Sequence, residues 1–371
     1  MNWERVRLGD IVNIRTGKLD ANAAVENGEF PFFTCAKEIS RIDNYAFDGE
    51  CVLVAGNGDL NVKYYNGKFN AYQRTYVIQT SNETLDIKYL YYFLEEYLEE
   101  LRIKSIGGVI KYIKLENLQE PKIPLPPLSV QKEIVEKLDK AAVIREKSKA
   151  LLTYYDALAE SLFIELFGDP ISNEKGWEKK KLGGVCVKIG SGATPRGGRE
   201  SYLSEGISFI RSLNVYDREF KYKDLAFIDE NQAYDLRNVI VEEGDVLFNI
   251  TGASVCRSCV VPLNILPARV NQHVSILRCK KDIVNPIFLN AQLVSDSKKN
   301  QLIALSKIAG ATREAITKVQ LENEEILIPP LSLQVKFAEM VENIEEQKAR
   351  AKAEIEQSEA VFQALLQESF G

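Results

Sequence analysis

Apolar residues along this chain follow two rhythms. In two stretches of roughly 40 residues they recur at alternating spacings of four and three. Elsewhere they form short runs broken by Gly, Asn and Asp. Each long stretch opens with Pro-Pro-Leu-Ser, at 126–129 and 329–332. Each runs without Gly or Pro to a closing Phe-Gly, at Gly168 and Gly371. The fixed φ of proline stiffens such an opening, Ser129 and Ser332 are natural N-caps, and glycine suits the left-handed position after a helix. The pattern predicts two long helices.

Their apolar positions form a heptad seam. In the first helix it includes Ile134, Leu138, Leu152, Tyr155 and Leu162; in the second, Phe337, Val341, Ile344, Ile355, Phe362 and Leu365. Lys and Glu fill most outer positions, as in a coiled coil, and neither helix can bury its stripe alone. Each is therefore expected to pair with the other. At 1.5 Å per residue each would span roughly 60 Å. Arg145 and Lys348 interrupt the seam. They either snorkel outward or fix the register through Glu345 or Glu346.

The remaining runs repeat. Trp3 to Gly9 is answered by Trp177 to Gly183, Ile14-Arg15-Thr16-Gly17 by Ile189-Gly190-Ser191-Gly192, and Gly49-Glu50-Cys51-Val52-Leu53 by Gly244-Asp245-Val246-Leu247-Phe248. Gln73-Arg74-Thr75 is answered by Gln272-His273-Val274, and Ile106-Gly107-Gly108 by Ala309-Gly310-Ala311. The second half is longer, mostly between Gly192 and Gly244. The chain thus reads as a tandem duplication of one mixed α/β unit, a β-rich globule followed by a long helix. The expected boundaries are 1–127, 128–168, 169–330 and 331–371. A two-fold relation between the units would make the helices antiparallel, with a globule at either end. Such a body suits a target with two spaced half-sites.

Composition narrows the class. A chain of 371 residues with 45% hydrophobic and 27% charged side chains fits a multidomain globular protein. No apolar run is long enough for a membrane span and no signal peptide opens the chain, so a cytoplasmic protein is expected. The six cysteines read as reduced thiols. Cys256-x-x-Cys259 has zinc-ligand spacing with Cys186 or Cys279 nearby in the pattern, but no second pair completes it, and no metal is expected. The net charge of −6 is unevenly spread: residues 169–330 carry 22 basic and 20 acidic side chains, whereas the last helix carries 4 and 8. Net charge governs solubility, and a local basic patch can still hold phosphates.

Enzymatic motifs are missing. There is no P-loop, and Pro195 breaks the dinucleotide fingerprint at 190–195. Asn285-Pro286-Ile287-Phe288 resembles the adenine methyltransferase motif but lacks its second proline, and reads as a helix start. One histidine, His273, excludes a His pair. What remains is binding chemistry in loops. Lys188 to Glu200 combines glycines and hydroxyls with Thr194, Arg196 and Arg199. Arginine takes guanine O6 and N7, and amides such as Gln272 read adenine. The competing reading of these loops is plain surface and turn capping.

The duplicated IPLPPLSVQKEIVEKL and ILIPPLSLQVKFAEMV segments, the Trp-x-x-x-x-Leu-Gly openings and the Gly244 to Leu247 and Asn271 to His273 segments resemble one family over essentially the whole chain. It is the specificity subunit of type I restriction-modification systems. The resemblance implies two target recognition domains separated by an antiparallel two-helix coiled coil, with pseudo-two-fold symmetry. It implies that the chain reads bipartite double-stranded DNA and docks two methyltransferase subunits, joined in some systems by restriction/translocase subunits. The chain itself would be non-catalytic and hold no cofactor, S-adenosylmethionine being carried by the methyltransferase. The DNA contacts expected on this reading are Thr194, Arg196, Arg199, Arg211, Gln272, His273 and Arg313 in the second domain. In the first they are Arg15, Lys37, Arg41, Gln73 and Arg74. The first domain departs from the second in being shorter and more acidic, without a Thr194-Pro195 counterpart. The alternative is a coiled-coil scaffold that holds only proteins.

Overall fold

The computed structural model describes residues 3–80, 83–307 and 314–371. It divides into two compact units, one of residues 1–150 with 351–371, the other of residues 151–350. Each unit therefore holds the start of one long helix and the end of the other.

The long helices run Leu128–Phe167 and Leu331–Phe370. Both start one residue ahead of the expected caps. The Pro127 carbonyl accepts from the amides of Val130 (2.9 Å) and Gln131 (3.1 Å), and Pro330 accepts from Leu333 (2.9 Å) and Gln334 (3.2 Å). Ser129 and Ser332 thus sit inside the first turn and do not cap it. A proline at this point leaves no N–H to satisfy, while its carbonyl starts the ladder. At the other end Gly168 adopts φ 76°, as the sequence predicts, and its amide returns to the Ile164 carbonyl at 2.8 Å.

Within each unit the two helix segments are antiparallel. In unit one Arg145 meets Glu359 at 3.3 Å; in unit two Lys348 meets Asp156 at 2.8 Å. These pairs occupy equivalent positions, 203 residues apart in both partners. The seam cations therefore pair across the helices, with Glu345 only a second, same-helix partner of Lys348 at 2.8 Å. The seam residues are buried or half-buried, and a second stripe joins them. Phe167 packs on Phe288 at 4.7 Å between ring centroids, and Phe370 packs on Tyr89 at 4.9 Å. This stripe fastens each helix end to the globule of the same unit.

A four-stranded antiparallel sheet forms the frame of both globules. In unit one its order is Val12–Thr16, Thr75–Thr80, Glu50–Ala55, Val62–Asn66; in unit two Cys186–Ser191, Val274–Cys279, Val246–Asn249, Ser258–Val260. Pairing fixes the equivalence: Val52 faces Ile78 as Val246 faces Leu277. The second strand of the repeat is therefore offset by 194 residues. The match of Gly49 with Gly244 suggested 195, a slip of one residue that would turn each side chain to the other face. Gly17 and Gly192 are equivalent and indispensable for one reason, since a Cβ on either would lie 1.8 Å from the carbonyl oxygen of Ala71 or Val270. The stretch between Gly192 and Gly244 supplies a hairpin (Val215–Tyr216 with Glu219–Phe220) and the helix Glu230–Asp235, which have no counterpart among the described residues of unit one. Its strand Ile207–Ile210 pairs in parallel with Ala268–Val270, as Phe30–Phe33 pairs with Asn70–Ala71.

A buried glutamine joins helix to globule in each unit. Gln131 and Gln334 are wholly buried. Gln131 Oε1 accepts from the Asp86 amide (2.8 Å), and its Nε2 donates to the carbonyls of Thr84 (2.9 Å) and Pro126 (2.8 Å). Gln334 does the same with Asn285 (2.9 Å), Ile283 (3.2 Å) and Pro329 (2.8 Å). Asp86 and Asn285 in turn cap the helices Ile87–Glu96 and Pro286–Val294. Asn285-Pro286 is thus a helix start, as the sequence suggests. One side chain ties the onset of two helices together from a wholly buried position. Replacing Gln131 or Gln334 with leucine leaves one half-buried N–H and two carbonyls without their partner and should cost about 2 kcal/mol in its own unit. Urea unfolding and amide exchange at Asp86 or Asn285 measure it, and an unchanged midpoint would contradict the assignment.

Candidate nucleic-acid interface

In unit two the expected residues Thr194, Gln272 and His273 come together. The Thr194 hydroxyl donates to Gln272 Oε1, and Gln272 Nε2 donates to His273 Nε2 at 3.2 Å. With that nitrogen accepting, the proton on His273 Nδ1 faces Thr251 Oγ1 at 2.6 Å. The chain of bonds presets the amide before any ligand arrives. Beside it lies a cleft of about 480 Å³ whose lining includes Ser212, Tyr216, Thr251, Arg257, His273 and Glu314. Arg257 stands 4.3 Å over the Tyr216 ring. A guanidinium braced on an aromatic face, next to an oriented amide and imidazole, is a set of donors able to take base edges or phosphate oxygens.

The sequence did not single out Arg257 or Tyr216. Arg257 sits inside Cys256-x-x-Cys259, where attention goes to metal. All six thiols are free, and burial pushes those of Cys256 and Cys259 up to about 12. Cys186 and Cys279 face each other across paired strands. Among the described residues no group of three or more potential ligands could hold a metal ion.

Other expected residues divide by what already holds them. Arg196 and Arg199 are exposed on the loop after Gly192 and make no ion pair among the described residues. Arg211 is engaged, with Nη2 donating to the Asp224 carbonyl and the guanidinium stacked 5.3 Å from the Tyr202 centroid. Arg313, with the matched turn 309–311, lies outside the described residues.

In unit one Gln73 and Arg74 are exposed in the turn before Thr75–Thr80, and the Arg74 carbonyl accepts from Gly56 at 2.8 Å. This matches the Ile250 to His273 bond of unit two (2.9 Å), so Arg74 and His273 are structural counterparts. Lys37 pairs with Asp59 at 3.1 Å. Its neighbour Cys35 reaches the Arg74 carbonyl, which brings Lys37 and Arg74 to one rim. Arg41 clamps the carbonyls of Gly28 (2.9 Å) and Glu29 (2.8 Å). Arg15 bonds Gln79 at 2.7 Å and lies over Phe47. The two units therefore build the same rim from different side chains. Arg211→Ala should lower the unfolding midpoint of unit two more than Arg257→Ala does, because Arg211 leaves both a carbonyl and a ring without their partner and Arg257 only a ring. Thermal unfolding of the two variants checks the contrast, and equal losses would refute it.

The similarities of the chain agree with this division. The profile of the type I restriction modification DNA specificity domain matches residues 1–152 and 174–357. The EcoDI type I restriction enzyme specificity subunit of Escherichia coli is 43% identical over 152 residues, which is 41% of this chain and 34% of that protein. The chain thus matches only about a third of that relative's length. The MjaVIII specificity subunit of Methanocaldococcus jannaschii is 23% identical over 394 residues, 98% of this chain and 92% of that protein. In fold the chain resembles the type I S subunit from M. genitalium, with a TM-score of 0.70 at 16% identity, covering 100% of this chain and 96% of that one. None of the described helices is long and apolar enough to cross a membrane. The chain belongs to the family of type I restriction-modification DNA specificity subunits and carries two copies of its specificity domain.

Proposed function

We propose that this chain reads a bipartite DNA target, one half-site with each unit, and presents it to methyltransferase subunits that carry S-adenosylmethionine. Restriction/translocase subunits join the assembly where DNA is cut. The observation that carries this reading is the duplicated rim. The strand end bearing Gln73-Arg74 in one unit bears Gln272-His273 in the other, hung on equivalent backbone bonds. The same frame offers different donors twice, as a reader of two unlike half-sites requires. In unit two the reading side chains are Arg196, Arg199, Arg257, Gln272 and His273. In unit one they are Lys37, Gln73 and Arg74. Arg41 and Arg211 are assigned to support, since each holds backbone carbonyls of its own unit, and Arg15 because it bonds Gln79 and lies over the Phe47 ring.

Retention of duplex DNA by the complex reconstituted with its methyltransferase subunits tests this. Binding should be sequence-selective and weaken steeply with salt. Arg199→Ala should lower the salt slope by about one if it holds a phosphate, or relax one base position if it reads a base. Arg257→Ala should cost about tenfold in affinity. Salt-independent or unselective retention would favour a scaffold that holds only proteins, and unchanged methylation of the cognate site would remove Arg199 from the interface.

A further inference from the structure

Comparison of the two copies exposes a difference that DNA reading does not use. In unit one the corner between the helix Ile87–Glu96, the strand Val62–Asn66 and the long helices is filled with aromatic side chains. Tyr64 and Tyr91 lie 6.4 Å apart, Tyr91 and Tyr92 5.0 Å, and Tyr92 meets Phe362 at 6.0 Å. Asp139 closes the cluster: it accepts from the Tyr92 hydroxyl at 2.6 Å and pairs with Lys88 at 2.7 Å. Burial, first of several causes, pushes all three phenols well above the usual tyrosine range.

Unit two builds the same corner and leaves it open. Val52 pairs with Tyr64 as Val246 pairs with Val260, so Val260 stands for Tyr64. The caps Asp86 and Asn285 align the short helices, which places Ile287, Asn290 and Ala291 at the positions of Lys88, Tyr91 and Tyr92. Ala159 stands for Phe362, and Glu342 for Asp139. Every one of these exchanges except Asp139 to Glu342 removes bulk or charge. The result is a largely apolar cleft of about 580 Å³, lined by Val260, Asn290, Ala291 and Ala159, with Glu342, Glu345, Glu346 and Arg218 also in its lining. Two details mark it as more than loose packing. Asn290 Oδ1 is buried without a hydrogen-bond partner, and Glu342 makes no ion pair among the described residues.

We propose that this cleft is a docking site for a tyrosine side chain, flanked by a basic residue, on a partner protein. The occupant is argued from the filled copy. There a phenol and an ammonium converge on the carboxylate at the position of Glu342, against the same short helix. Glu345 is paired with Lys348, which leaves Glu342 and Glu346 against Arg218, so the lining favours a cation. The partner thus supplies in trans what unit one supplies from its own chain. This inference stands apart from the DNA reading and survives its failure.

The test uses the full chain with tyramine, which joins a phenol to an ammonium, and with acetyl-lysyl-tyrosine amide, its peptide equivalent. Calorimetry and saturation-transfer NMR should show saturable binding of both, with tyramine at least about fivefold tighter than p-cresol or phenethylamine, since each control lacks one of the two charge-assisted contacts. Glu342→Gln should erase the preference for tyramine over p-cresol. Ala291→Tyr should abolish binding with unchanged circular dichroism, because unit one already houses a tyrosine there. If that variant fails to fold, Glu342→Gln still decides, since Glu342 is exposed. Absence of saturable binding, p-cresol equal to tyramine, or binding undiminished in Ala291→Tyr would each overturn the proposal. So would tyramine binding with the peptide at least tenfold weaker, which would make the cleft a site for a free amine.

Discussion

The architecture of each unit depends on one buried amide. Gln131 and Gln334, both wholly buried, hold the start of a long helix to the start of a short one. A polar side chain with no solvent exposure is tolerable only when nearly all its hydrogen-bonding capacity is used. Because three bonds in three directions must be met at once, the amide fixes the angle between helix and globule more firmly than apolar packing can. Aromatic packing at the same end of each helix pair, Phe370 on Tyr89 and Phe167 on Phe288, completes the hold.

Register along the helices is set differently. The seam narrows to alanine at Ala141 and Ala351, and the cations Arg145 and Lys348 cross to Glu359 and Asp156. These pairs are partly solvated, so each contributes little to stability. Their value is geometric, since a slip along either helix would part both members. Arg145 also lies 4.7 Å over the Phe362 ring, whereas in the open copy an alanine, Ala159, stands at the position of that ring. Duplication therefore preserved the clamps and the register pairs, while the rims and the corner behind them diverged.

Much of this is legible in the sequence. The uninterrupted 4,3 spacing gave the helices, and the paired Trp and Pro-Pro segments gave the duplication. The failures have physical causes. Gln131 and Gln334 are polar, and hydrophobic patterning passes over a polar residue, two of whose three partners lie about 50 residues away in sequence. The one-residue slip at Gly49 and Gly244 arose because two similar turns tempt a glycine-to-glycine match, and only strand pairing resolves it. Arg41 and Arg211 looked like free cations because a sequence does not show which backbone carbonyls a guanidinium will meet. Arg257 was hidden between two cysteines whose burial makes them core, not ligands.

The claim at the centre is that two anchored copies of one frame read two separate stretches of DNA. Genome-wide mapping of methylated adenines in cells with the intact system, repeated with Arg257→Ala, addresses it most directly. The account predicts a split motif, two specified blocks with an invariant unspecified gap, and a change confined to one block in the variant. A continuous motif, or loss of specificity in both blocks from that single change, would contradict it.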